Sequence, residues 1–179
     1  MHRNLLSTLL GARLNLRLLS LLLCLNFILA LSACAEDSGP VLKGTVTWIY
    51  DGDTLKVDPH GKVRLIGIDT PEKENSKRDS YLIKKGISTA RQREIYQQAK
   101  TFNIEQVKGQ QVTLTLDDPE RDRYGRLLVY LHLPDGRMLN RVLLEQGLAV
   151  VYRRFSFHMK EDFLTAEAEA MKNKRGLWE

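Results

Sequence analysis

Two short segments of the chain concentrate carboxylates that could hold a metal ion. Asp53 lies in the segment Asp51–Thr54, and Asp69 and Glu72 lie in Arg64–Glu72. Ca²⁺ and Mg²⁺ prefer oxygen ligands of this kind. A carboxylate beside a bound cation can also orient or deprotonate a water molecule. Taken alone, Asp51–Thr54 is more typical of a hairpin turn than of a metal site.

Arginines occur in the same stretch and in a third charged segment. Arg64 interrupts a run of apolar residues, where its charge is costly unless it has a partner or faces water. The third segment, Asp122–Arg126, combines basic groups with an aromatic ring, and by itself it also fits a solvated loop. Guanidinium groups bind phosphate oxygens in a bidentate manner, so Arg64 and Arg126 could each hold a phosphate. Metal ligands, arginines and a carboxylate together indicate hydrolysis of a phosphodiester.

The geometry of a strand sets a condition on this site. Arg64 and Asp69 are separated by an odd number of positions, so a regular strand directs their side chains to opposite faces. The two side chains share a site only if the chain turns or bulges near Asp69. The sequence alone leaves this open.

The pattern of apolar and turn residues predicts the elements that position these side chains. Five strands are predicted, at Val41–Tyr50, Thr54–Val57, Lys62–Ile68, Gln110–Asp117 and Gly125–Leu133. Three helices are predicted, at Ile87–Gln106, Leu139–Gln146 and His158–Lys174, the last with an apolar stripe of Phe163, Ala166, Ala170 and Met171. Glu72–Tyr81 is predicted as an exposed loop and Asp118–Tyr124 as a charged turn. This order predicts an α+β fold, a five-stranded OB-fold β-barrel with three helices packed on it. An open α+β sheet is the alternative.

Residues 1–34 have the features of a bacterial export signal. Basic residues precede the apolar run Leu18–Ala33, which is short for a membrane span and favours a cleaved signal over an uncleaved anchor. Leu31–Cys34 matches a lipobox, in which Cys34 receives the lipid, although Ala33–Ala35 also fits ordinary signal peptidase. A lipid on Cys34 would tether the protein to a membrane without spanning it. We expect an exported protein, either a lipoprotein facing the periplasm or exterior or a released one.

The composition of the remaining chain restricts the classes of protein. Residues 35–40 read as a linker and residues 41–178 as one domain, which is large enough to fold on a core without disulfides. Without the leader the chain carries 24 basic and 22 acidic residues, so net charge alone does not indicate nucleic acid. No GxSxG, Walker A or CxxC motif is present. His60, His132 and His158 are isolated and read as surface or packing residues.

Six motifs, in order along the chain, resemble those of the staphylococcal nuclease (thermonuclease, micrococcal nuclease) family. They are DGDT at 51–54, RLxxxDTPE at 64–72, DxYGR at 122–126, DGxMxN at 135–140, QGLA at 146–149 and a final helix that ends in Leu177–Trp178. The resemblance covers nearly all of the chain after the leader. It implies an OB-fold barrel with three helices and a secreted, Ca²⁺-dependent nuclease that acts on DNA and RNA and leaves 3′-phosphate and 5′-hydroxyl ends.

The resemblance also implies a role for individual residues. Carried over by motif, the catalytic residues are Arg64, Glu72 and Arg126, with Glu72 acting on the attacking water. The Ca²⁺ ligands would be Asp53, Asp69 and the backbone carbonyl of Thr70. Substrate contacts would come from Arg123, Tyr124 and Tyr152.

This sequence departs from the short members of that family in two places. About ten extra residues lie around Tyr81–Arg93, next to the expected active-site loop. The family has substrate-contacting tyrosines after QGLA, where this chain has Tyr152 in a shifted register, and barrel packing is the alternative role for it. Arg153 and Arg154 either add phosphate affinity or are simply solvated.

Two other classes of function compete with a nuclease. One is a nucleic-acid-binding OB module that has lost catalysis, and the other is a structural lipoprotein. A catalytically dead module is expected to have lost an arginine, the TPE glutamate or an aspartate, and all of these are present. We therefore expect an active, monomeric enzyme. The sequence does not indicate a preference between DNA and RNA or between single and double strands.

Overall fold

The computed structural model describes residues 41–179. Its strands are β1 (Val41–Ile49), β2 (Thr54–Asp58), β3 (Gly61–Leu65), β4 (Ile68–Asp69), β5 (Gln111–Arg121), β6 (Leu127–His132) and β7 (Val150–Val151). Its helices are α1 (Asp79–Ile83), α2 (Thr89–Val107), α3 (Leu139–Glu145) and α4 (Lys160–Lys172), followed by a 3₁₀ turn at Gly176–Trp178. The predicted export signal, Cys34 and the linker at residues 35–40 lie outside the described residues.

Five strands close into a barrel in the order β1-β2-β3-β6-β5, with β1 paired to β5. All neighbours are antiparallel except β3 and β6, which are parallel. The strands alternate in character, so one face of each is buried in the barrel interior, as in β2 with Leu55 and Val57 and in β3 with Val63 and Leu65. The predicted α+β, five-stranded OB-fold barrel with three helices is confirmed, and the open sheet is excluded.

Three of the helices are seven residues or longer, and they cover the barrel with buried side chains. In α2 the buried positions Ile95, Ala99 and Val107 recur at helical spacing, and Ser88 caps the helix by accepting a hydrogen bond from the Arg91 N–H at 3.1 Å. In α3 the buried Asn140 donates to the carbonyls of Ile66 and Val129 and accepts from the Leu131 N–H, at 3.0 Å each. No helix within residues 41–179 is long and apolar enough to cross a membrane.

Several predicted boundaries were wrong. The strand predicted at Lys62–Ile68 is broken at Ile66–Gly67 into β3 and β4. The charged turn predicted at Asp118–Tyr124 begins later, because β5 continues to Arg121 and pairs there with Leu127. The loop predicted at Glu72–Tyr81 ends in α1.

The predicted apolar stripe of α4 also needs a correction. Met171 is 42% exposed, whereas Phe163, Ala166 and Ala170 are buried as predicted. Glu167 is buried on the same side of the helix, because its carboxylate accepts the Val151 N–H at 2.8 Å and pairs with Arg153. A charged residue with such partners can occupy a buried position that hydrophobicity alone assigns to Met171.

Candidate active site

The turn between β1 and β2 places Asp53 in the centre of a cleft. Its side chain is only 8% exposed, and Oδ2 accepts hydrogen bonds from the Thr70 N–H at 3.0 Å and the Thr70 hydroxyl at 3.2 Å. Oδ1 accepts from the Thr54 hydroxyl at 3.0 Å. The turn needs glycine at position 52, because a Cβ there would lie 2.7 Å from Thr70 Cγ2 and 2.8 Å from Ala99 Cβ. DGDT is therefore both a turn and a part of the site.

Arg64 links the two carboxylates that the sequence predicted as metal ligands. Its Nη1 lies 2.9 Å from Asp53 Oδ2, and its Nη2 lies 3.0 Å from Asp69 Oδ1. The odd spacing of Arg64 and Asp69 is resolved by the turn at Ile66–Gly67, where Gly67 has a φ of +79°. Because of this turn, the side chains that follow it point to the side opposite to the one expected in a regular strand. The side chains of Arg64 and Asp69 therefore reach one cleft. The buried charge of Arg64 thus has the partners that its apolar surroundings require.

Glu72 lies at the edge of the same cleft and is held there by Arg78. Arg78 Nη1 lies 2.6 Å from Glu72 Oε1 and 3.3 Å from Asp69 Oδ1. The sequence analysis did not identify Arg78, because it stands beside Lys77 in a long polar stretch where no pattern separates one basic residue from the other. Its partners become visible only when the chain folds back over Asp69.

Arg126 forms the opposite wall of the cleft. Its Nε and Nη2 both contact Asp122 Oδ2, at 2.7 and 2.6 Å, and its Nη1 lies 3.5 Å from the Thr54 hydroxyl. The guanidinium carbon also lies 5.5 Å from the centroid of the Tyr124 ring, which is 68% exposed. The segment Asp122–Arg126 is therefore an ordered part of the site and not merely a solvated loop. Asp122, which the sequence analysis did not assign, positions Arg126.

Crowding of carboxylates shifts their ionisation. Burial and, after it, the charge of the nearby Asp53 raise the pKa of Asp69 to about 6, although Arg64 and Arg78 oppose the shift. Burial and Asp53 likewise raise the pKa of Asp51 to about 6. Asp51, which the sequence analysis placed only in a turn, accepts the Asp53 N–H at 3.0 Å. Carboxylates with raised pKa values in one cleft favour the binding of a positive charge.

The oxygen donors of the cleft fit a hard divalent cation. Among residues 41–179 no three His, Cys, Asp or Glu side chains come together as a metal cage. The predicted set of metal ligands has only two carboxylates, Asp53 and Asp69, and its third member is the backbone carbonyl of Thr70. Thr70 is buried directly against Asp53 through its N–H and hydroxyl. All these donors are oxygens, which suit Ca²⁺ or Mg²⁺ and not a soft metal.

Six of the predicted site residues line one cleft, and the other three that the structure describes line the concavity next to it. The catalytic cleft is lined by Asp53, Arg64, Thr70, Glu72, Tyr124 and Arg126, together with Asp51, Thr54, Lys62, Pro71 and Arg78. Asp69 adjoins it through its contacts with Arg64 and Arg78. Arg123 and Tyr152 line an adjacent concavity that also includes Glu72. A further concavity brings Arg123 and Tyr152 together with Arg64, Tyr124 and Arg126.

Comparison with known proteins shows the family to which the chain belongs. Residues 62–179 match the family model described as "Staphylococcal nuclease homologue". The chain belongs to the staphylococcal nuclease family. It is similar to a thermonuclease of Staphylococcus hyicus, with 34% identity over 136 residues that cover 73% of this chain and 72% of that one. It is also similar to an uncharacterised endonuclease of Escherichia coli O157:H7, with 34% identity over 149 residues, 81% of this chain and 79% of the other.

An uncharacterised protein of Methanocaldococcus jannaschii is 37% identical over 147 residues, which cover 75% of this chain and 70% of that protein. The resemblance drawn from the six motifs is confirmed. Membership of the staphylococcal nuclease family assigns the chain to the hydrolases that act as nucleases.

Proposed function

We propose that this protein is an exported, Ca²⁺-dependent nuclease that hydrolyses phosphodiester bonds of DNA and RNA and leaves 3′-phosphate and 5′-hydroxyl ends. The observation that carries the proposal is the single cleft that Arg64, Arg126, Asp53 and Glu72 line together. Two arginines and a carboxylate beside a set of oxygen donors are the groups that phosphodiester hydrolysis requires. We further propose that the protein acts as a monomer, since all of these groups come from one chain.

The two arginines would bind the non-bridging oxygens of the scissile phosphate. Both guanidinium groups are held in place before substrate arrives, Arg64 by Asp53 and Asp69 and Arg126 by Asp122. Donors fixed in this way stabilise the charge that develops in the transition state without a cost of reorganisation. A Ca²⁺ ion held by Asp53, Asp69 and the Thr70 carbonyl would supply further stabilisation of negative charge on the phosphate.

Glu72 would act on the attacking water. Only one of its oxygens, Oε1, contacts Arg78, at 2.6 Å, and its side chain is 39% exposed, so water and substrate can reach it. The carboxylate takes a proton from the water as the new O–P bond forms. The P–O5′ bond breaks, and the departing 5′-oxygen takes up a proton to become the hydroxyl end.

Digestion of single-stranded DNA and RNA by the purified full-length chain in mild detergent tests this proposal. We expect cleavage with Ca²⁺ and none with excess chelator, and we expect Glu72→Gln to lower kcat by roughly 10²- to 10⁴-fold. The amide can still accept a hydrogen bond from Arg78, so the melting temperature is expected to stay unchanged. Glu74→Gln, an exposed glutamate two residues away, serves as the matched control.

The outcomes separate an enzyme from a binding module. Undiminished turnover in Glu72→Gln would refute the role of Glu72. Binding of DNA without cleavage under any metal condition would assign the chain to the silent binding modules instead. Mass spectrometry of the product ends decides between 3′-phosphate and 5′-phosphate.

The proposal of export rests on the sequence of residues 1–34. Labelling of an expressing bacterium with a fatty-acid analogue, followed by fractionation, tests the lipobox. We expect the wild-type chain to carry the fatty-acid label and to lie in the membrane fraction, and we expect Cys34→Ser to carry no label. A processed but unlabelled protein in the medium or periplasm would show that ordinary signal peptidase is used, and an unprocessed chain in the cytoplasm would contradict export.

A further inference from the structure

A second concavity adjoins the catalytic cleft on the Glu72 side. We call it the side pocket and define it by Glu72, Arg78, Tyr81, Arg123, Tyr152 and Arg154. Glu72 and Arg78 also line the catalytic cleft, so the two concavities are continuous. A polymer that occupies the catalytic cleft can therefore extend directly into the side pocket.

One wall of the side pocket presents an aromatic ring that is held in position. Tyr81 of α1 is 39% exposed, and its hydroxyl accepts a hydrogen bond from Arg153 Nη1 at 3.2 Å. Arg153 is anchored in turn by Glu167, which is 2% exposed, and by the Val151 carbonyl at 3.0 Å. An ion pair between Arg153 and the buried Glu167 of α4 thus fixes an exposed ring on α1. An isolated surface tyrosine needs no such support, so the arrangement points to a use for the ring.

A second aromatic side chain, Tyr152, also lines the side pocket. Tyr152 is half-buried, and its ring lies 5.2 Å from that of Phe155. Its backbone N–H donates to the Gly67 carbonyl at 2.8 Å, which ties Tyr152 to the turn that positions Asp69. The side pocket is therefore lined by two aromatic rings, and its geometry is coupled to that of the catalytic cleft.

The charges in the side pocket leave a positive excess. Its carboxylates are paired, Asp79 with Arg93 at 2.8 Å and both Glu72 and Asp69 with Arg78. Two further lining arginines, Arg123 and Arg154, are exposed and form no ion pair with a carboxylate within residues 41–179. The side pocket is thus lined by two cations whose charge is not balanced by a carboxylate within residues 41–179.

Unbalanced arginines beside fixed aromatic rings are the features that bind single-stranded nucleic acid. Arginine contacts the phosphates, and an unpaired base stacks on a tyrosine, whereas the bases of a duplex are already stacked on each other. We propose that the side pocket is an accessory subsite for a nucleotide next to the cleaved bond, with Tyr81 stacking on its base and Arg154 contacting its phosphate. This inference rests on the nuclease function proposed above and adds a preference for single-stranded substrate.

Direct binding tests the subsite without any need for catalysis. The full-length chain in mild detergent is titrated into fluorescently labelled oligothymidylate of ten nucleotides in excess chelator. We expect Tyr81→Ala and Arg154→Ala each to raise Kd roughly tenfold, and Tyr81→Phe, which keeps the ring, to stay within about twofold of wild type. Trp48→Ala and Arg137→Ala remove an exposed aromatic and an exposed cation elsewhere and are expected to change nothing.

Kinetics with two substrates then locate the subsite. Tyr81→Ala and Arg154→Ala are expected to raise KM for the oligonucleotide about tenfold and to leave kcat unchanged. On a nitrophenyl phosphodiester of thymidine, which has no neighbouring nucleotide, both variants are expected to match wild type. Their preference for single-stranded over duplex DNA is expected to fall by the same factor.

The two proposals fail in different ways. A wild-type chain that binds oligothymidylate but cleaves neither substrate contradicts the proposed nuclease function, while the binding series still decides on the subsite. Wild-type affinity in both Tyr81→Ala and Arg154→Ala, or no binding by wild type, overturns the subsite. An equal loss on the oligonucleotide and on the thymidine ester in both variants also overturns it, because that loss reports damage to the catalytic cleft.

Discussion

At the scale of single residues, the cleft brings several carboxylates close together, and Arg64 and Arg78 neutralise their negative charge only in part. Asp51 and Asp69 have pKa values near 6, against an ordinary value of 3.8. Between pH 3.8 and about pH 6, Asp51 and Asp69 therefore keep protons in the folded protein that they have released in the unfolded chain. The free energy of unfolding without a bound cation therefore falls as the pH rises from about 4 to about 6. A divalent cation that favours the ionised carboxylates reverses this loss.

This balance predicts that Ca²⁺ stabilises the protein in a pH-dependent way. At pH 7.5, Ca²⁺ well above its Kd is expected to raise Tm by roughly 5–10 °C over chelator, and at pH 4.5 the difference is expected to shrink because the carboxyls are protonated. Scanning calorimetry at both pH values measures it. Asp53→Asn, which weakens the proposed ligand set, is expected to lose the response. Identical Tm values with Ca²⁺ and with chelator at pH 7.5 would contradict a cation site in this cleft.

At the scale of elements, a single turn brings the site together. β3 carries Arg64 and β4 carries Asp69, and the turn at Ile66–Gly67 between them changes which face each residue uses. Gly67 has a left-handed φ of +79°, and a Cβ there would lie 2.6 Å from Phe157 Cε2. Glycine is required at this position for both reasons, one conformational and one steric.

Gly67→Ala is therefore expected to lower the free energy of unfolding by about 2–4 kcal/mol, because the alanine must adopt a left-handed conformation and its Cβ crowds the core. Turnover is expected to fall as well, because Asp69 moves with β4. Gly61→Ala is the matched control, with a φ of +80° and no atom within 4 Å of the new Cβ, and it is expected to cost only about 1 kcal/mol with normal turnover. Urea unfolding and steady-state kinetics measure both effects. A cost in Gly67→Ala no larger than in Gly61→Ala would show that Phe157 simply moves aside.

The same turn shows what the sequence could and could not predict. Apolar alternation and turn residues were sufficient for the five barrel strands, because those signals are local. The six motifs were sufficient to group Arg64, Glu72 and Arg126. The meeting of Arg64 with Asp69 and the role of Arg78 depend on how the chain turns between residues that are five to nine positions apart, and the burial of Glu167 depends on its contacts with Val151 and Arg153. No local pattern distinguishes such residues from ordinary surface charges.

At the scale of the whole molecule, residues 41–179 contain no cysteine, so hydrogen bonds and packing must join the barrel to its helices. One such junction is Asp117 at the middle of β5. Its Oδ2 accepts the Tyr130 hydroxyl of β6 at 2.5 Å and the His158 N–H, just before α4, at 2.8 Å. The Tyr130 hydroxyl also accepts the Met159 N–H at 3.2 Å, and its ring packs edge-on against Phe163. One carboxylate thus connects two barrel strands with the last helix.

This junction predicts how the protein responds to acid. Burial raises the pKa of Asp117, but hydrogen bonds from Tyr130 and from the His158 and Asp118 N–H groups outweigh it and hold the pKa below 3.8. The stabilisation is therefore present above pH 4 and is lost as the pH falls through the lower, folded-state value. Asp117→Asn is expected to cost about 1 kcal/mol at pH 7, since the group is partly exposed, and to make the unfolding free energy less dependent on pH below 4. Urea unfolding between pH 2.5 and 7, beside the exposed control Glu120→Gln on the same strand, measures both quantities. If Asp117→Asn and Glu120→Gln lose equal stability at every pH, the junction does not hold α4 to the barrel, and packing around Phe163 alone must do so.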